Sequence, residues 1–123
     1  MSFDWRAYLA LAETLVSSDL EADREACLRS AISRSYYAAF ASARQQSRER
    51  HGGVIRQSAA EHGEVATFYA KRGEAGGVIA AHLTRLRFLR NRADYDDDLE
   101  GAEAAAAEAI ARAKSVLNLL GAL

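Results

Sequence analysis

Arg90 sits where a side chain of its type is uncommon. With residues placed about 100° apart around a helix, Ile79, Leu83 and Leu86 share one face, and Arg90 falls about 20° from it. Asp94 falls within about 20° of Leu83, while Arg92 points the other way. An apolar seam therefore runs into a guanidinium and then a carboxylate. Arginine is almost never fully buried unless paired, because desolvating its charge is costly. Two chemistries fit. Arg90 and Asp94 can form an i,i+4 ion pair, which contributes only a few tenths of a kcal/mol and is here in its less favourable order. Alternatively, the guanidinium fork faces a groove and receives phosphate. Spacing alone leaves both open. The acidic run Asp94, Asp96, Asp97 and Asp98 repels phosphate, and Arg85, Arg87, Arg90 and Arg92 offset it locally.

Other groups carry weaker signals. Tyr36 and Tyr37 can stack a nucleobase, although two tyrosines on a long central helix are more often core. Arg34 lies one turn before Tyr37 and either joins Arg90 in a shared cleft or lies on the surface. His51, His62 and His82 fall in three different segments without metal-ligand spacing, so no metal and no cofactor is expected. Arg44, Arg48, Arg50 and Arg56 make a basic stretch that Glu49 and Glu61 dilute, which reads as a solvated surface. Cys27, the only cysteine, reads as a small core residue in a reducing compartment.

The elements that must position these groups are helices. The 123 residues include no proline, and half are apolar, enough to bury one core without staples. The length fits a single domain, residues 1–123. A first helix is capped by Ser2 and carries Trp5, Tyr8, Leu11, Ala12 and Leu15 as its stripe. Ser18 and Glu21 have capping-box spacing for a second helix, with Leu28, Ile32, Tyr36, Phe40 and Ala43 on one face as far as about Arg48. A third covers about Glu61 to Arg72, with Val65, Phe68 and Tyr69 inward. Gly73, Gly76 and Gly77 punctuate a turn before a fourth helix from about Val78 to Ala93. The acidic run ends that helix and opens the fifth near Leu99, whose stripe is Ala102, Ala106, Ile110, Ala113, Leu117 and Leu120. Phe40 and Leu86 are expected as core anchors. The fold class is therefore all-α, an antiparallel bundle of four to five helices.

The formal net charge of −1 means that a nucleic-acid site must be a local patch, not a basic surface. No apolar run reaches the roughly 18 residues that span a bilayer. Asp4 precedes any basic residue, unlike a signal peptide. The expectation is a cytoplasmic protein without a membrane partner.

Two segments resemble a known family. Ala31-Ile32-Ser33-Arg34-Ser35-Tyr36-Tyr37-Ala38-Ala39-Phe40 is similar to the second-helix signature of HEPN domains. Leu86-Arg87-Phe88-Leu89-Arg90-Asn91-Arg92-Ala93-Asp94-Tyr95-Asp96 resembles their late motif, an Arg-Asn pair followed by a polar residue and Tyr. The stretch from His62 to Phe68 resembles the family's middle helix, and helix order agrees over nearly the whole chain. The resemblance implies a bundle that dimerises and brings both copies of the Arg motif into one cleft. It places catalytic roles on Arg90 and Asn91, to which the neighbouring Asp94 is added; Arg34, Tyr37 and Arg87 are binding candidates by their own positions and chemistry. In the catalytic branch a His follows the Arg-Asn pair by four to six residues and RNA is cleaved without metal. Here Asp94, Tyr95, Asp96 and Asp97 stand there, as in the members that read Ala-Asp-Tyr. Asp94 beside Arg90 is a poor acid and at most a weak base. A neutral-range His typically contributes 10²–10⁴-fold through acid–base catalysis.

The resemblance thus implies a toxin-like RNA- or nucleotide-binding protein, with at most weak metal-independent ribonuclease activity. Its expected partner is a nucleotidyltransferase-fold antitoxin that places AMP on Tyr95. The competing expectation is a non-catalytic dimeric interaction subunit in which Arg90 and Asp94 form a structural pair.

Overall fold

The computed structural model describes residues 2–17, 23–52 and 60–123. These form five helices, α1 (Ala7–Ser17), α2 (Arg24–His51), α3 (Glu61–Ala70), α4 (Gly73–Tyr95) and α5 (Ala102–Ala122), with no strand among the described residues. No described helix is long and apolar enough to cross a membrane.

The core is centred on α2, which packs against α1, α4 and α5, while α3 packs mainly on α4. Contacts at the helix ends give the directions. Arg24 at the start of α2 reaches the carbonyl of Val16 near the end of α1, at 2.5 Å, so these two helices run antiparallel. Arg29 near the start of α2 meets Ala93 near the end of α4, at 2.9 Å, again antiparallel. Arg85 with Glu108 and His82 with Arg112 set α4 antiparallel to α5. It follows that α2 and α5 run parallel. Arg24 holds Glu103 at one end, at 3.0 Å, and Gln46 donates to the Leu120 carbonyl at the other, at 2.8 Å.

The inward face of α2 is Leu28, Ile32, Tyr36, Phe40 and Ala43, all buried. Facing it are Leu9 from α1, Val65 and Tyr69 from α3, Ile79, Leu83 and Leu86 from α4, and small side chains of α5. Phe40 and Leu86 are both in the centre, as their spacing predicts. The Tyr69 hydroxyl donates to the Ala43 carbonyl at 2.7 Å and anchors α3 to α2. Burial pushes this phenol up to about 12.

Local details depart from the sequence reading. Asp4, not Ser2, starts α1: its carboxylate accepts from the Arg6 amide at 3.1 Å and its carbonyl from Ala7 at 3.0 Å. The inward stripe of α1 uses Leu9, and Leu11 is 44% exposed. The expected cap of α2, Ser18 with Glu21, lies outside the described residues. Asp23 caps this helix by accepting from the Ala26 amide at 3.0 Å.

The three-glycine turn is also different. Only Gly73 adopts the left-handed backbone, at φ 71°, and the helix runs from there through Gly76 and Gly77. Gly76 is a close-approach position, where a Cβ would strike the Tyr69 carbonyl oxygen. The acidic run does not open α5. Asp94 lies within α4, Asp96 terminates it, and α5 starts four residues after Asp98, behind Gly101 at φ 67°. The fully buried line of α5 is Ala106, Ala109, Ala113, Val116 and Leu120, while Ala102, Ile110 and Leu117 are half-buried beside it. The stripe leans toward Ala109 and Val116 because the face of α5 on α2 is wide.

Candidate functional site

The late motif folds as the last turns of α4, against the first turns of α2. What holds it there is Arg29. Its guanidinium donates to the carbonyls of Ala93 at 2.9 Å, Asp96 at 2.6 Å and Asp97 at 3.3 Å, and Glu25 steadies it at 3.2 Å. A cation here satisfies carbonyls that a helix end leaves without amides, and it complements the helix dipole. Sequence reading passed over Arg29, because only the tertiary crossing of α2 and α4 supplies its partners. Arg29→Ala should cost about 1–3 kcal/mol, and amide exchange should speed up over residues 93–97 before it does elsewhere. Unchanged exchange there would show that the acidic turn holds itself.

Arg90 lies at the centre of the motif with its side chain 16% exposed. Nη2 donates to the Tyr37 hydroxyl at 2.9 Å, and Nη1 to Oδ1 of Asn91 at 2.9 Å. Nε lies 3.0 Å from Oδ2 of Asp94, the i,i+4 pair that the spacing allows. That contact is one of charge, because the buried Nε–H is not aimed at an acceptor. Asp94 also accepts from the Ser33 hydroxyl of α2 at 3.3 Å.

Arg34 stacks 4.7 Å from the centre of the Tyr8 ring and 5.1 Å from that of Tyr37, and it donates to Ser33 at 3.3 Å. Tyr37 is thus flanked by two guanidinium groups, with Arg90 5.3 Å from its ring. Its hydroxyl positions Arg90, a different task from stacking a base. Tyr95, 71% exposed, lies 5.5 Å from the Arg90 guanidinium and does offer a free aromatic face.

Arg87 lies one turn before Arg90, half-buried, with no hydrogen bond or ion pair among the described residues. Arg34 likewise has no carboxylate partner there. Two guanidinium groups, Arg34 and Arg90, therefore flank Tyr37, and of these only Arg90 is matched by a carboxylate among the described residues. Beside them runs a groove of about 580 Å³, with Leu11 and Leu15 on one wall and Ser30, Ser33, Arg34 and Asp94 on the other. The remaining acids are partly occupied, with Asp96 against Arg92 at 3.4 Å.

No family model, curated protein or solved structure matches the chain. What the site can do rests on its own geometry.

His62 is the residue that sequence reading undervalued. It sits in the first turn of α3, and its Nδ1 is hydrogen-bonded to the Tyr36 hydroxyl. The ring stacks on Phe40, with centroids 4.6 Å apart, and on Tyr36 at 5.6 Å. Burial, reinforced by the charges of Arg87 and Arg90, lowers its pKa below the ordinary 6.5. The signal was available in the spacing: His62 precedes Val65 by three residues and Tyr69 by seven, the same seam logic that singles out Arg90. Burial also pushes the Tyr36 phenol upward, so it stays protonated. Among the described residues, no group of three His, Cys, Asp or Glu side chains is placed to hold a metal ion. Cys27 is buried and free.

Proposed function

We propose that this chain is an RNA-binding module of the HEPN type, a cytoplasmic, toxin-like component that works as a homodimer and is restrained by a nucleotidyltransferase-fold partner. The observation that carries the reading is the surplus of positive charge around the Tyr36–Tyr37 pair. Among the described residues Arg34 and Arg87 have no carboxylate partner, and Arg90 is held ready between Tyr37, Asn91 and Asp94. Half-buried guanidinium groups without a carboxylate among the described residues favour a polyanion, and a phosphodiester presents the paired oxygens they bind. Exposed Tyr95 offers a face for an unstacked base, which single-stranded RNA supplies and duplex RNA does not. Tyr95 is equally accessible to a nucleotidyltransferase, and AMP added there would cover the Arg90 side of the site.

A short fluorescein-labelled single-stranded RNA tests this reading at low salt. Wild type should bind. Arg87→Ala should weaken binding roughly tenfold, since a charge-assisted hydrogen bond contributes about 1.5–3 kcal/mol and the flanking arginines compensate in part. Asp94→Asn should tighten binding, because it removes the charge that competes for Arg90.

The Arg90–Asp94 pair favours a second reading, the non-catalytic interaction subunit. There Arg90→Ala unfolds the protein and wild type binds no RNA even at low salt. In the proposed function Arg90→Ala stays folded and binds weakly.

A further inference from the structure

A carboxylate beside a phosphate site lowers the affinity for phosphate, so the RNA-binding reading leaves Asp94 without a favourable task. Yet this side chain is held in place. Oδ2 accepts from the buried Ser33 hydroxyl at 3.3 Å, and the Arg34 guanidinium donates to that hydroxyl in turn, also at 3.3 Å. Nε of Arg90 lies 3.0 Å from the same oxygen without being aimed at it. A carboxylate has about four acceptor sites, and Ser33 fills one of them. Oδ1 makes no hydrogen bond among the described residues, and the side chain is 28% exposed. Asp94 is therefore an oriented acceptor with most of its capacity open.

It lines the groove of about 580 Å³ between α1, α2 and the end of α4. Small-molecule sites span roughly 300–1,000 Å³, so the groove has room for a nucleobase. Its other wall is apolar, with Leu11 and Leu15 one turn apart on α1 and Leu11 44% exposed. Arg34 lines the groove as well. A ligand that matches all three has a flat apolar face, an edge of hydrogen-bond donors and an adjoining anion, which describes a nucleotide. The Watson–Crick edge then discriminates among the bases. Guanine presents two adjacent donors, N1–H and the 2-amino group. Adenine and cytosine each set one amino group beside an acceptor nitrogen, and uracil has one N–H between two carbonyl oxygens. A carboxylate only accepts, so it pairs twice with guanine and opposes an acceptor in each of the others.

We propose that this groove reads a guanine base of single-stranded RNA, with Asp94 as the specificity-determining residue. Leu11 and Leu15 lie against the face of the base, and Arg34 takes the adjoining phosphate. The proposal rests on the RNA-binding reading and names the base that the site selects. Proteins read single-stranded RNA on the Watson–Crick edges of splayed-out bases, and that is the edge Asp94 takes. The acid lowers affinity for every strand and restores it for the strand whose base offers two donors, which is how one group sets a preference.

The experiment measures fluorescence anisotropy of short labelled oligouridines that carry one central guanine, adenine, cytosine, hypoxanthine or 7-deazaguanine. Wild type should prefer the guanine strand over the adenine, cytosine and all-uracil strands by at least about tenfold, within the range for a bidentate pair. Hypoxanthine lacks the 2-amino group and should fall in between. 7-Deazaguanine keeps both donors and should bind as guanine does. In Asp94→Asn, which exchanges an acceptor for a donor, the guanine-to-adenine ratio should fall to within about twofold. On strands without guanine the same variant should bind more tightly, because the competing charge is gone. Free guanosine 5′-monophosphate should compete only weakly, since it lacks the flanking phosphates.

Circular dichroism checks the fold of the variant, and the wild-type base series decides without it. Equal affinity for all strands overturns the proposal and leaves the RNA-binding reading standing. So does a preference that survives in folded Asp94→Asn, or one lost with 7-deazaguanine, which would assign it to an arginine on N7. Competition by the free nucleotide as strong as that of the guanine strand overturns RNA as the source of the base. Wild type that binds no strand removes both readings.

Discussion

Leu86→Ala should destabilise the protein by about 2–5 kcal/mol, the usual cost of truncating a fully buried leucine. Leu86 is completely buried, opposite the long face of α2 and one turn before Arg90 on the same line. The cavity left behind cannot collapse easily, because α2 is fixed on its other sides by α1 and α5. A chain of this size loses several degrees of Tm per kcal/mol, so thermal unfolding followed by circular dichroism reads the effect directly. An unchanged Tm would mean that α4 presents a different face, and Arg90 would lose its place at the end of the seam.

Glu61→Ala should be nearly as damaging, at about 2–4 kcal/mol. Glu61 is a carboxylate in the first turn of α3, where the helix dipole favours it, and its partner Arg44 is 2.6 Å away with only 18% of its side chain exposed. The Arg44 guanidinium also stacks against Phe40 at 5.3 Å and Trp5 at 5.7 Å, so it cannot swing out to water without leaving those rings. Removing the carboxylate strands a cation, and that stranded charge is what makes the change costly. The double variant Arg44→Met with Glu61→Leu should therefore recover most of the loss. Urea unfolding midpoints of the single and double variants decide the matter. Equal losses in both would mean that Glu61 contributes shape and not charge. Because Glu61 lies in the first turn of α3, its loss also loosens that turn.

These changes lie at different depths of legibility. The faces of α2 and α4 could be read from spacing, because a long helix with one wet side must place apolar residues at 3.6-residue intervals. Leu28 through Ala43 and Ile79 through Leu86 follow that rule. The stripe of α5 was read less well. An alanine-rich helix has low contrast between its faces, and alanine fits close contacts as readily as it tolerates water, so Ala109 and Val116 could not be ranked over Ile110 and Leu117.

Arg90 was visible as an anomaly, and the pair it makes with Asp94 was one of the two chemistries its spacing allowed. Its bond to Tyr37 was out of reach, since it spans residues 53 apart in the chain. Arg29 was invisible for the same reason. Its partners are main-chain carbonyls, which carry no sequence signal, and they sit more than 60 residues away, the nearest in sequence being Ala93 at 64. His62 carries no metal-ligand spacing, so its position in the sequence points to no metal site. Weighed as a polar group on an apolar seam, it ranks beside Arg90. Other charges follow the same division. Glu108, held down to about 2 by hydrogen bonds from Arg85 and Arg112, clamps α4 to α5 at the surface and contributes little, since exposed ion pairs are screened.

In the proposed function Arg34 and Arg87, which have no carboxylate partner among the described residues, bind RNA phosphate. The most direct measurement is the salt dependence of binding to single-stranded RNA, comparing wild type with the double variant Arg34→Ala, Arg87→Ala. Each phosphate contact on a single strand steepens the slope of log K against log salt by about 0.7. Removing two contacts should therefore flatten it by roughly 1.4 while the protein stays folded. A wild-type slope near zero, or an identical slope in the double variant, would contradict the account.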